Sequence, residues 1–237
     1  MSKKKTAAVV LGSAVVSLAG IFGAVLAVNT LLDNQKTEQY TISEPIHKLV
    51  VGTGAGNVDI VATAADQISV RQTTHWITDE PSPKRNISGG VLTLADADDC
   101  GGWTLLRCET DYRIEVPRDL VVSVRVDAGD ISVTGLAGKL TVESDAGNVD
   151  GTALGASHVK ASSDAGDVNL AFSVAPTSVE AESDAGNVEI DLPRDEYAVS
   201  VDTDAGGSSV EGIIRYDLAP HVVKAETDAG DVRIRGR

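Results

Sequence analysis

Val124-Arg-Val-Asp-Ala-Gly-Asp-Ile-Ser-Val133 is the stretch that decides the fold. Apolar residues alternate on both sides of a Gly-containing turn, so two short strands flank one tight reversal. The same Asp-Ala-Gly start recurs at Asp145, Asp164, Asp184, Asp204 and Asp228, with steps of 18, 19, 20, 20 and 24 residues from Asp127 onward. A degenerate copy, Gly-Ala-Gly-Asn, begins at Gly54. A unit of about 20 residues with its turn at a fixed place is the signature of a solenoid. Such an architecture presents a surface rather than a pocket, which favours binding or scaffolding over catalysis.

Each unit repeats the pattern. Leu140 and Val142 precede Asp145, and Val149 follows it; Val179 precedes Asp184, and Val188, Ile190 and Leu192 follow. Two architectures fit. In a parallel β-helix the coils stack about 4.8 Å apart and the turns form ladders. In an antiparallel sheet every Gly turn would close a hairpin. The nearly constant unit length favours the coil. A longer period is also present: Val116-Pro-Arg-Asp119 matches Leu192-Pro-Arg-Asp195, 76 residues later.

The chain begins differently. Lys3, Lys4 and Lys5 precede residues 6–32, which contain no charge. About 20 apolar residues span a bilayer as a helix, and flanking lysines favour the cytoplasmic side. The expectation is one transmembrane signal anchor, with the C-terminal domain extracellular on the cell membrane. Cleavage after Val25-Leu26-Ala27 is the alternative, and no Cys follows the run to make a lipoprotein. The division is therefore residues 1–36 for cytoplasmic tip, anchor and start of linker, residues 37–45 for linker, and residues 46–237 for an all-β solenoid domain.

Charge and cysteines fit an exported domain. Lys3, Lys4, Lys5 and Lys36 against Asp33 leave residues 1–36 at +3, so residues 37–237 carry −18 of the overall −15. Such a surface repels nucleic acid. Aromatic residues are only 3 % of the chain, which suits stacked small strands rather than a large aromatic pocket. Cys100 and Cys108 enclose a short loop, and an exported compartment permits a disulfide between them. Two cysteines without nearby histidine are too few for a zinc site.

Cys100-Gly-Gly-Trp103 with Cys108, then Ile114-Glu-Val-Pro117, then the run from Val124 to Gly138 together resemble the DUF4097 family of bacterial, adhesin-like proteins. The resemblance covers roughly residues 46–237. It implies a right-handed β-helix-like domain on the cell envelope, commonly behind an N-terminal membrane segment. It supplies no catalytic residues to carry over.

The repeated turn has two readings. In the structural one, Asp caps its own turn and Gly supplies positive φ. In the other, Asp127, Asp145, Asp164, Asp184, Asp204 and Asp228 form a weak calcium track. The fourth position of the motif bears on the choice. It is Asp130, Asn148, Asp167, Asn187, Gly207 and Asp231: charged and neutral residues alternate through the first four units, and no two charges stand in successive units. Alternation avoids like charges on adjacent coils, which repel by ~1 kcal/mol even in water. A saturated calcium ladder would tolerate acid at every coil. His47, His75, His158 and His221 stand singly, and no nucleophile elbow, phosphate loop or redox pair occurs.

No cofactor, metal or catalytic set is expected, and the chain is not expected to be an enzyme. The sequence points to an extracytoplasmic, membrane-anchored binding or adhesion-like module, with envelope stress response as one setting. Its partners would be the membrane and an envelope protein or glycan. A self-associating structural spacer and a polysaccharide-active enzyme are the alternatives; Trp76 and Trp103 would be the sugar platform.

Overall fold

In the Asp127 unit, Val122, Val124 and Val126 are buried on one strand and Ile131 and Val133 on the next. Ser123, Arg125 and Ser132 take the other face, as period-two alternation requires. The computed structural model describes residues 34–77, 80–96 and 108–237 and contains no helix among them. The expected membrane segment, residues 6–32, lies outside the described residues. Within them no helix is long and apolar enough to cross a membrane.

In chain order the strands begin with β1 (Asn34–Ile42), β2 (Lys48–Ala55), β3 (Val58–Thr63), β4 (Ile68–Trp76), β5 (Lys84–Ser88), β6 (Val91–Ala95) and β7 (Cys108–Pro117). Then come β8 (Val121–Ala128), β9 (Ile131–Thr134), β10 (Leu140–Ala146), β11 (Val149–Leu154), β12 (His158–Ala165), β13 (Val168–Phe172), β14 (Ser178–Ala185) and β15 (Val188–Leu192). The last are β16 (Glu196–Ala205), β17 (Ser208–Glu211), β18 (Ile214–Arg215), β19 (His221–Ala229) and β20 (Val232–Gly236).

They form two ten-stranded sheets. Strands that precede a Gly turn lie in a leading sheet ordered β18-β16-β19-β14-β12-β10-β8-β2-β6-β5. Strands that follow the turn lie in a trailing sheet ordered β1-β4-β7-β3-β9-β11-β13-β15-β20-β17. Each Asp-Ala-Gly turn, like the Gly54 copy, thus passes the chain from one sheet to the other. It does not close a hairpin, and the stacked coil is the correct one of the two architectures. The alanines of the motif fall in one register row, Ala55, Ala128, Ala146, Ala165, Ala185, Ala229 and Ala205.

That row exposes a departure from chain order. After β14/β15 the next coil in the stack is β19/β20, and β16/β17 lies outside it. The chain leaves β15, builds the outermost coil, and returns to fill the space beneath. All coil-to-coil pairings from β2/β3 to β16/β17 are parallel.

The two ends differ. Beneath β2/β3 sits one more coil, β6 and β7, followed by antiparallel strands: β5 on β6, β4 on β7, and β1 on β4. Most of the expected linker is therefore strand, since β1 runs to Ile42, which is buried. Only Tyr40 and Ile42 are apolar in β1, and its remaining side chains are exposed, which hid the alternation. Among the described residues the other end has no such cover. The core between the sheets is Val, Ile, Leu and Ala, with Tyr112 and Tyr197 as the largest fully buried side chains. Burying each branched aliphatic contributes roughly 1.5–3 kcal/mol, and the stack adds these increments coil by coil.

Candidate interaction surface

The turn owes its sequence to three ladders that run along the stack. The first is glycine. A Cβ on Gly147 would run into the carbonyl of Gly129, and one on Gly166 into that of Gly147. Gly147 also has φ of 151°, which disfavours a side chain. Coils approach too closely here for any other residue.

The second ladder is an inward row of hydroxyls placed just before the motif. Ser144 donates to the Gly129 carbonyl at 3.0 Å, Ser163 to Gly147 at 2.8 Å and Ser183 to Gly166 at 2.9 Å. Thr227 donates to Gly186 at 2.8 Å and Thr203 to Gly230 at 3.3 Å. Each of these hydroxyls, buried but for the partly exposed Thr203, thus satisfies a carbonyl of the coil below, as burial of polar groups requires. The row begins at Asp96, whose carboxylate accepts from Gly54 N at 2.6 Å and from Thr53 Oγ1 at 3.0 Å. Burial pushes the Asp96 carboxyl up, and these bonds oppose the shift.

The third ladder is made by the fourth position of the motif. Side-chain Oδ1 of one coil accepts the backbone N–H of the same position on the next. The bonds run Asp111 to Asn57 (2.8 Å), Asn57 to Asp130 (3.0 Å), Asp130 to Asn148 (2.7 Å) and Asn148 to Asp167 (2.9 Å). They continue from Asp167 to Asn187 (2.7 Å), Asn187 to Asp231 (3.0 Å) and Asp231 to Gly207 (2.8 Å). Asn57 and Asn187 also donate Nδ2 to the Asp below, each at 3.1 Å. Charge and amide alternate at every step. Because β19/β20 lies inside β16/β17, Asp231 follows Asn187, and Gly207, which has no side chain, ends the ladder.

The six first-position aspartates do something else. They form one row on the outer edge of the leading sheet, on adjacent coils. Among the described residues none accepts a hydrogen bond from its own turn. The expectation that this Asp caps its turn is therefore corrected: the cap comes from the fourth position of a neighbouring coil. Asp145 instead pairs with Arg125 at 3.1 Å, and Arg125 also holds Glu143. No group of three or more His, Cys, Asp or Glu among the described residues is arranged to hold a metal ion.

At the uncapped end these aspartates join a second acidic row. Glu182, Glu226 and Asp202 share one register position on β14, β19 and β16. With Asp184, Asp228 and Asp204 they make a patch of six carboxylates, and all but Asp184 line a groove of about 180 Å³. Lys224 reaches Glu226 at 2.7 Å; among the described residues the other five carboxylates take part in no ion pair. The second row went unread in the sequence, although counting two residues back from each Asp-Ala-Gly would have found it.

The other singled-out residues are dispersed. His221 donates its Nδ1–H to Pro176 O (2.7 Å) and packs against Tyr197, 5.6 Å between rings. His158 bonds Ser157, His75 lies 3.8 Å from Asp111, and His47 adjoins Gly90. Trp76 ends β4 opposite Cys108, whereas Trp103 and Cys100 lie outside the described residues. A cleft of about 400 Å³ between β1, β4 and residues 80–83 has its charges occupied: Lys36 pairs with Glu38 and Glu80, and Arg85 covers Tyr40 at 4.3 Å.

Fold and surface together define an all-β, parallel-rich solenoid whose turns are bonded by glycine, hydroxyl and Asx ladders. The Toastrack DUF4097 family model matches residues 46–235, and the chain belongs to that family. Among solved structures it is similar to a "putative cell adhesion protein" of Clostridium sporogenes ATCC 15579, at 13 % identity over 86 % of this chain and 100 % of that one, with a TM-score of 0.49. It is also similar to a "putative adhesin" of Bacteroides fragilis NCTC 9343, at 10 % identity over 85 % and 97 %, TM-score 0.45. A "putative lipid binding protein" of Parabacteroides distasonis ATCC 8503 is similar at 12 % identity over 85 % and 95 %, TM-score 0.26. Comparison with curated proteins gives no match.

Proposed function

We propose that the chain is a non-enzymatic binding module held on the outer face of a bacterial cell membrane by residues 6–32, with the domain extracytoplasmic. One observation carries the reading. The uncharged run stops at Leu32, and β1 begins at Asn34 as the edge strand of the capped end. A helical anchor would therefore hold the capped end against the bilayer and leave the open, acidic end facing outward. The winding is right-handed in this reading, and the ligand is an envelope protein or glycan. A Cys100–Cys108 disulfide suits the same compartment; mass spectrometry of unreduced protein should find the two peptides linked.

Protease added to intact spheroplasts tests the topology. The domain should be digested from outside while the first residues stay protected. A domain that is fully protected until the membrane is lysed would overturn the reading. The spacer reading, in which coils of two copies stack, is opposed by charge: the end coil carries Asp202, Asp204 and Glu211 and would meet the same residues on its twin.

A further inference from the structure

Among the described residues the stack stops at β16/β17 without a cap. Among the described residues, only β18 pairs with the outer side of β16, at Glu196 and Tyr197. From Ala198 to Ala205 that side has no strand partner among the described residues, and neither has β17 on its outer side. The core layer beneath is incompletely covered. Val199, Val201, Val210 and Ile213 are only partly buried, whereas Val179, Ala181, Val223 and Ala225 at the equivalent positions inside are closed. Beside the edge, Ile214 is 62 % exposed, Tyr216 50 % and Leu218 80 %. An open edge of this kind accepts an added strand.

The register states what that strand must be. Residues added opposite Val199 and Val201 would continue the core and must be apolar. Residues opposite Asp202 and Asp204 would continue the outer acidic rows and must be cationic, because the last three coils already carry a carboxylate at both positions. The chain itself provides the precedent on the other sheet. There β20, Val232-Arg-Ile-Arg235, lies between β15 and β17, and its arginines pair with Glu189 and Asp191. Gly207 offers no acceptor to a further Asx position, so the occupant is not another coil of this kind.

We propose that the free edge of β16 is a docking site for an extended peptide segment of a partner protein, with alternating apolar and basic residues, bound parallel as an added strand. The proposal rests on the binding-module reading but not on the membrane placement, so failure to bind peptide leaves the spheroplast result untouched.

The probe is a fluorescent heptapeptide, Lys-Val-Arg-Val-Arg-Val-Lys, titrated by anisotropy into the full chain in neutral detergent. Binding should be saturable and weaken with salt. A block-ordered peptide of the same composition, or Glu in place of every cation, should bind at least tenfold more weakly. Asp202→Asn with Asp204→Asn should cost at least tenfold, whereas Asp127→Asn with Asp164→Asn, the same charge change elsewhere on the row, should change affinity by less than twofold. Amide exchange should slow at residues 198–205 and stay unchanged at 158–165. Equal binding of the block-ordered peptide, or equal losses in the two double variants, would reduce the effect to diffuse electrostatics and overturn the site. Concentration-dependent dimerisation that excludes the peptide would assign the edge to a second copy and overturn it as well.

Discussion

Two rows of acids flank the same turn, three residues apart, and they have opposite duties. The fourth-position row is bonded coil to coil, and its charges are interrupted by an amide at each second step. The first-position row has aspartate on six adjacent coils, faces solvent, and closes no turn. A residue that holds the fold must meet both geometry and repulsion, and the fourth position solves both by alternating Asp with Asn. The first position solves neither, so its uniform charge is carried at a small cost in stability. That contrast separates the part of the motif that builds the stack from the part that faces a partner.

The contrast is bounded by the glycine between the rows, whose replacement should have the largest effect. Gly147→Val puts a branched side chain against the Gly129 carbonyl of the coil below, at a φ of 151°. Forced conformation and overpacking each cost ~1–3 kcal/mol. A combined loss of at least ~2 kcal/mol is expected, about 4–8 °C in melting temperature for a domain this size. A variant that melts like the parent would mean that the coils are less tightly apposed than described.

The fourth position should come next. Asp167→Ala removes the acceptor for Asn187 N and Nδ2 and should destabilise by ~1 kcal/mol. Asn148→Asp is a subtler probe. It preserves the acceptor but sets carboxylates on three successive coils, at Asp130, position 148 and Asp167. Its cost should be ~1 kcal/mol at low ionic strength and shrink in 0.5 M salt. Denaturant melts at two salt concentrations decide this; a cost that ignores salt would show that alternation has nothing to do with charge.

Asp96 offers a pH test between buried and exposed acid. Burial raises its folded pKa, so the folded state binds the proton more tightly than the unfolded chain. The sign follows: this group favours folding most below its unfolded pKa, and that contribution is lost as pH rises through the raised folded value. Asp96→Asn should therefore flatten the pH dependence of stability in the mildly acidic range. The amide can still accept from Gly54 and Thr53. An unchanged pH profile would show that Asp96 is better solvated than its burial indicates.

Most of the stack was legible because it is local. Alternating valines, a Gly turn and unit length give coil, core and turn, and the Asp/Asn alternation predicted a charge-balanced ladder. The order of the last two coils was not legible, because the edges of β14 and β19 accept the same partners and the choice is made between distant segments. One clue was present. Gly207 interrupts the alternation in chain order, and a residue without a side chain can only end such a ladder. The antiparallel cap was equally hidden, since β1 shows only Tyr40 and Ile42 as apolar marks. For the surface, the Asp-Ala-Gly row was visible and the row of Glu182, Glu226 and Asp202 beside it was overlooked. The assignment of capping to the first Asp failed because the true acceptor sits on another coil.

The smallest effect is expected in the exposed row itself. Asp164→Asn removes one of six neighbouring like charges and breaks no bond seen in the structure. Repulsion between carboxylates one coil apart is ~1 kcal/mol in water before screening. At physiological salt only a fraction of that remains, so the variant should be unchanged or more stable by a few tenths of a kcal/mol. Calcium supplies the opposing hypothesis. If the row were a cation track, millimolar calcium would bind the folded state and raise the melting temperature by mass action, and Asp164→Asn would diminish that rise. If the row is a free acidic face, calcium should shift parent and variant alike, and little. Four melts decide between them, parent and Asp164→Asn, each in EDTA and in calcium. A large calcium-dependent rise confined to the parent would make the first-position row a metal site and erase the division of labour between the two rows.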